Sequence, residues 1–157
     1  MAGKKLKMKI RKATQKDLGD ILKLDEELDY FEKKKFDKNI RFAKKTERAQ
    51  KIIKYFKKNS RIFLAREDDK IIGFAAGRIV KKQRYFGKIG EVNSVLIVEE
   101  RRGKGIGEAL TKELLKWFKF KGVKTVRLFV YSKNNYAQNV YKKIGFGEKL
   151  KVMERKL

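Results

Sequence analysis

From Val95 to Glu108 the chain passes through a branched apolar run, two acids and two arginines into Gly103-Lys104-Gly105-Ile106-Gly107-Glu108. Glycine at 103, 105 and 107 frees this turn from Cβ clashes, and an apolar periodicity of helical spacing begins at Ile106. A turn of this kind at the start of a helix gathers backbone N–H groups at the positive end of the helix dipole, an arrangement that binds phosphate. Arg102 and Lys104 add positive charge at its rim. No Gly-Lys-Ser/Thr closes the turn as a P-loop, and the spacing is not the G-x-G-x-x-G of dinucleotide folds. Taken alone, three glycines would serve a simple bend as well.

The spacing does match Arg/Gln-x-x-Gly-x-Gly/Ala, here Arg102 to Gly107. Further on, Asn134, Ala137, Tyr141, Gly145 and Phe146 fall in register with Asn-x-x-Ala-x-x-x-Tyr-x-x-x-Gly-Phe. On these two motifs, in this order, the chain resembles the GCN5-related N-acetyltransferase superfamily, closely over about residues 60–157 and in general pattern before that. The resemblance implies acetyl-coenzyme A as co-substrate, with its pyrophosphate on the amides of Gly103, Lys104, Gly105, Ile106, Gly107 and Glu108. It also implies a strand splayed from its neighbour, whose main chain at Val95, Leu96 and Ile97 holds pantetheine and polarises the carbonyl. Asn134 would contact the pantetheine arm or its neighbouring backbone.

The same resemblance makes Tyr141 the general acid that protonates the departing thiolate, with Tyr131 and Tyr136 as nearby substitutes. Glu91 is either the carboxylate that takes the amine proton through water or an exposed strand residue. The branch of the superfamily that acetylates protein N-termini carries a Glu five residues before the motif Asn, where this chain has Phe129. That departure counts against a protein N-terminal acetyltransferase. Glu99 replaces a common proline, which would only stiffen the turn.

The elements that must position these residues are legible in the pattern. Leu6 to Ala13 alternates as a first strand, and Thr14 with Asp17 forms a variant capping box opening a helix that buries Leu18, Ile21, Leu22, Leu24 and Leu28. A second helix is predicted from Asp37 to Lys58, with Phe42, Ala49, Ile52, Ile53 and Phe56 as its apolar stripe. Strands are predicted over 61–66, 71–80 and 91–98, the first two as a hairpin. After the Gly-loop helix come a strand over 125–131, a helix over 134–144 and a last strand over 146–153. The expectation is one α/β domain spanning 1–157, with a mixed sheet in the order β-α-α-β-β-β-α-β-α-β.

The chain of 157 residues has no Cys and no His. That excludes disulfides, a thiol acyl-enzyme and Cys-based zinc sites, and it removes the usual neutral-pH base. No metal is expected, and acetyl transfer would proceed by direct attack in a ternary complex. The apolar runs are short and no signal segment precedes them, so a soluble cytoplasmic protein without membrane association is expected. A homodimer is compatible with the sequence.

The formal charge is +25, from 44 Lys/Arg and 19 Asp/Glu. Such a field draws any polyanion, so a nucleic-acid- or ribosome-associated protein on the same scaffold is the competing reading. Lys38, Arg41, Lys45 and Arg48 recur at helical intervals, as a polyanion stripe or a solvated helix face. The basic residues among the first twelve make either an arm or the exposed side of the first strand. Asp25-Glu26-Glu27 is an amine-binding patch or solvated charge.

Overall fold

The computed structural model describes residues 7–81 and 87–157. The N-terminal basic arm and the predicted strand start at Leu6 lie in part outside the described residues. In chain order the elements are β1 (Lys9–Lys12), α1 (Leu18–Lys35), α2 (Lys45–Ile53), β2 (Ser60–Glu67), β3 (Lys70–Lys81), β4 (Lys88–Ile97), α3 (Ile106–Phe120), β5 (Thr125–Leu128) and α4 (Asn135–Lys143). The five strands lie side by side in sequence order; β1 to β4 are antiparallel and β5 joins β4 in parallel.

Each face of the sheet has its own core. Ile21 and Leu24 of α1 and Ile52 of α2 pack with Leu64, Phe74, Ala76 and Leu96, whereas Leu110, Leu114, Trp117 and Phe118 of α3 pack with Ala65, Ile72, Ala75 and Val92 on the opposite face. Glycine permits the close seating of α3: a Cβ at Gly77 would stand 2.8 Å, and one at Gly90 2.9 Å, from the Phe118 ring. Two bulges reverse which side chains face which core. The second pairs Ala76 with Ser94 but Gly77 with Val92, leaving Asn93 of β4 as the extra residue.

The capping signal at Thr14 is real, and it does more than begin α1. The Asp17 carboxylate accepts the Thr14 N–H at 2.7 Å and two guanidinium bonds from Arg11 at 2.7 and 2.8 Å, fastening β1 to the helix start. The second helix is shorter than its periodicity predicts. Asp37 bends the chain by accepting the Asn39 N–H at 2.9 Å, and the helix begins only where Glu47 accepts the Lys44 N–H at 3.0 Å. Lys38 and Arg41 therefore lie outside α2, and no continuous stripe forms. Arg48 faces inward, 2.6 Å from Asp25 and 2.8 Å from Asp29. Asp25, buried in that ion pair, is neither solvated charge nor an open amine site.

Among the described residues, the predicted last strand over 146–153 pairs with no other strand. Alternation expresses a fit to a pleated surface, and a ladder also needs a partner edge. β5 likewise stops at Leu128, three residues before its predicted end.

Candidate functional site

β4 carries the site because it outlasts its neighbour. Its ladder with β5 runs from Ile89–Thr125 to Val92–Leu128 and then ends, while β4 continues along β3 to Ile97. The Asn93 bulge sits at the point of divergence, so the main chain from 93 to 97 has a strand on one side only. Val95 and Ile97 turn their side chains into the α3 core and Leu96 into the other, which leaves the main-chain edge turned away from β3 as the part of this stretch open to a ligand. At the end of β4 the Ile97 carbonyl accepts the Arg102 Nε–H at 3.0 Å. The Arg102 guanidinium also stacks 4.4 Å over Phe31 of α1, so this arginine is a strut as well as a rim charge.

Beyond a short turn at Glu99–Arg101, Gly103 and Gly105 adopt φ of +76° and +77°. An L side chain rarely enters that region, which explains glycine at both positions. Gly105 precedes the first turn of α3, and its carbonyl takes the first helical bond from Ala109. Among the described residues, the N–H groups of 103–108 meet no protein acceptor. Six consecutive amides thus stand open where the dipole of α3 is positive. A diphosphate fits this cradle, and open space surrounds Gly103 and Gly105. Lys104 is exposed beside it.

The Glu108 carboxylate accepts bonds from Lys112 at 2.7 Å and from Lys143 of α4 at 2.9 Å, and these hold its pKa down at about 2. Its side chain therefore ties α4 to α3. Asn134 caps α4, its Oδ1 accepting the Ala137 N–H at 3.1 Å. Gln138 of α4 donates to the carbonyls of Tyr131 and Ser132, closing the loop between β5 and α4.

Tyr141 is half-buried and meets Phe146 edge-on at 5.9 Å between ring centres. Burial pushes its phenol up to about 12, and the charge of Glu32 adds to the shift. Tyr131, stacked on Phe36 at 5.2 Å, is raised by burial and by Glu32, Asp37 and Asp29; Tyr136 is exposed. The C-terminal half of α1 thus spans from Arg102 to the tyrosines.

Glu91 is 3% exposed rather than an exposed strand residue. Its Oε1 accepts two bonds from Arg127 of β5, at 2.6 and 3.1 Å, and its Oε2 one from Arg78 of β3 at 3.0 Å. The carboxylate therefore bridges three strands just before β4 and β5 part. Sequence reasoning does not single out Arg78, Arg127 or Glu32. Asp25, Asp29 and Glu32 recur at helical spacing on α1, the signal that picks out Glu32 where the contiguous Asp25-Glu26-Glu27 does not. Burial raises the Glu32 carboxyl, and the neighbouring charge of Asp29 raises it further. Among the described residues no hydrogen bond or ion pair reaches it. No group of three or more His, Cys, Asp or Glu able to hold a metal occurs among them either.

Residues 21–146 match the acetyltransferase (GNAT) family. An uncharacterised N-acetyltransferase of Methanocaldococcus jannaschii is 31% identical over 149 aligned positions, covering 89% of this chain and 61% of that protein's length. A tetramutant of a Bacillus halodurans protein superposes with a TM-score of 0.82 at 21% identity, covering 95% of this chain and 99% of the other. A predicted acetyltransferase of Clostridium acetobutylicum, solved with acetyl-CoA, gives 0.79 at 20% identity, with 96% of each chain covered. At these identities the two structural likenesses concern the fold.

Proposed function

Because the chain belongs to the acetyltransferase (GNAT) family, we propose that it moves an acetyl group from acetyl-coenzyme A to a primary amine. The observation that carries this reading is the run of unpaired amides at 103–108, at the N-terminus of α3. These amides and Lys104 would hold the pyrophosphate, and the open main chain of Val95, Leu96 and Ile97 would hold the pantetheine arm. Asn134 supports that arm indirectly, by fixing the start of α4. When bound, the co-substrate supplies a thioester, an acyl group already activated towards nitrogen.

The amine nitrogen attacks the thioester carbonyl carbon and the carbon–sulfur bond breaks. Tyr141, with its phenol near 12, keeps its proton through neutral pH and can give it to the departing sulfur. Glu32 is the better group to hold the amine and receive its proton, because its carboxyl is raised, lacks an ion-pair partner and acts electrostatically on Tyr141. Glu91, with both oxygens bound by guanidinium groups, fixes β5 against β4 at the mouth of the opening.

Thermal melting tests the central step. Acetyl-coenzyme A at a hundredfold excess over its dissociation constant adds about 2.7 kcal/mol of stability. Gly105→Val, which forces a branched side chain into a φ of +77°, abolishes that gain. A gain retained in the variant overturns the cradle. Turnover is read without background by a thiol reagent, since the chain has no cysteine and only released coenzyme A reacts.

A further inference from the structure

A cavity of about 170 Å³ opens on the side of the sheet that carries α1 and α2. It is lined by Lys51 of α2, by Lys54 and Tyr55 of the single turn that follows, by Ser60 of β2 and by Arg78 of β3. Three cations and two hydroxyls thus face one space, and among the described residues no carboxylate lines it. Sites for whole small molecules run to about 300–1,000 Å³, so a cavity of this size takes one polar group of a larger ligand.

The lining groups are short of acceptors. Tyr55 is only 8% exposed, yet its hydroxyl has no hydrogen-bond partner among the described residues. A hydroxyl left unpaired there costs free energy that an incoming acceptor recovers. Burial pushes its phenol up to about 12, so it stays a donor at neutral pH. Lys54 joins no ion pair among the described residues, and Arg78 gives Glu91 only its Nε–H, at 3.0 Å, which leaves its two terminal nitrogens open. A guanidinium edge beside an ammonium and a phenol is a donor set for carboxylate or phosphate. The cavity also borders the amine site: Lys51, 3.4 Å from Asp25, acts electrostatically on Glu32.

We propose that this cavity is an anion subsite that takes the acidic end, carboxylate or phosphate, of the amine acceptor. The identity of its occupant rests on the acetyl-transfer reading, whereas its affinity for an anion does not. With the amine at Glu32 and the acid at Arg78, Lys54 and Tyr55, the acceptors are amines that also carry negative charge. A surplus of 25 positive charges steers such molecules in and repels polyamines at long range.

Inorganic phosphate and acetate, titrated separately into the chain without coenzyme A, test the cavity through amide NMR shifts. At least one of the two is expected to move Tyr55, Ser60 and Arg78, and the one that binds more tightly identifies the acid. The double variant Lys54→Glu/Tyr55→Phe should lose these shifts; Lys54 is exposed and phenylalanine keeps the Tyr55 ring in the core, so the variant folds. Wild-type shifts confined to 103–108, or shifts at the cavity that survive the double variant, overturn the subsite. With acetyl-coenzyme A, kcat/KM for the better of an ω-amino carboxylate and an ω-aminoalkyl phosphate should exceed that for the alkylamine of equal length by about 10–100-fold, the worth of a charge-assisted hydrogen bond. The double variant should collapse that ratio. Equal values in the wild type, or a ratio kept by the variant, overturn the acceptor assignment. Ion shifts at the cavity without acetylation of any of these amines overturn acetyl transfer itself and leave the anion site standing.

Discussion

At the scale of single residues, the two acid–base assignments rest on different physics and separate in kinetics. Tyr141 is protonated at working pH because burial disfavours its phenolate, so Tyr141→Phe removes a proton donor while keeping the ring against Phe146. Turnover should fall by about 10²–10⁴-fold, the usual span for a general acid, with the acetyl-coenzyme A dissociation constant unchanged. Lost affinity with intact turnover would make Tyr141 a binding residue. Glu32→Gln keeps shape and removes charge at a position without an ion-pair partner, so the fold should melt as before. Its kcat/KM for amines should fall, and the rising acid limb of the pH profile, set by a carboxyl raised above the ordinary range, should vanish. Glu91→Gln should instead lower the melting temperature, since it leaves Arg78 and Arg127 without their shared anion. If Glu91→Gln abolishes that limb and Glu32→Gln does not, the two roles are exchanged.

At the scale of elements, one carboxylate ties α4 to α3. Glu108 has its folded pKa lowered from 4.5 to about 2 by Lys112 first and Lys143 second. A depressed folded value means that the pairing stabilises the fold fully above pH 4.5 and loses this contribution as pH falls towards 2. Lys143→Met should move the Glu108 midpoint part of the way back up, because Lys112 still donates to it; a carboxylate titration followed by NMR reads this directly. An unmoved midpoint would mean that the contact between the helices does not persist in solution. The phosphate loop and α3 are legible in the sequence because glycine placement and apolar period are local signals that need no partner. The Tyr141 helix is legible for the same reason, from Asn134 to Phe146. Periodicity overextends the second helix because Phe42 continues a helical period through Asp37 to Lys44, where an Asx turn takes the backbone elsewhere. The bond from Arg48 to Asp25 and the triad of Glu91, Arg78 and Arg127 join residues far apart in the chain. No spacing encodes them.

At the scale of the whole molecule, the distribution of charge decides more than its sum. Several of the 19 acids are spent inside or against partners, among them Asp17, Asp25 and Glu91, so they leave much of the charge of the chain's 44 lysines and arginines unneutralised. The folded chain is therefore under self-repulsion that the more expanded unfolded chain relieves. Its ion pairs pull the other way, but many are exposed, including Arg41–Glu47 and Lys116–Glu113, and pairs of this kind contribute about 0–1 kcal/mol each. A surplus of 25 positive charges predicts that repulsion outweighs these pairs, and that sets the expected sign of the salt response. Raising sodium chloride shortens the Debye length from about 30 Å at 0.01 M to about 8 Å at 0.15 M, and the melting temperature should rise, by about 2–4 °C for each kcal/mol of repulsion screened. The same screening weakens attraction of the anionic co-substrate to the amides and Lys104 at the start of α3, so its dissociation constant should rise over the same range. Calorimetry and fluorescence titration in matched buffers read the two slopes independently. A melting temperature that falls with salt would mean that the surface ion pairs outweigh the 25-charge surplus.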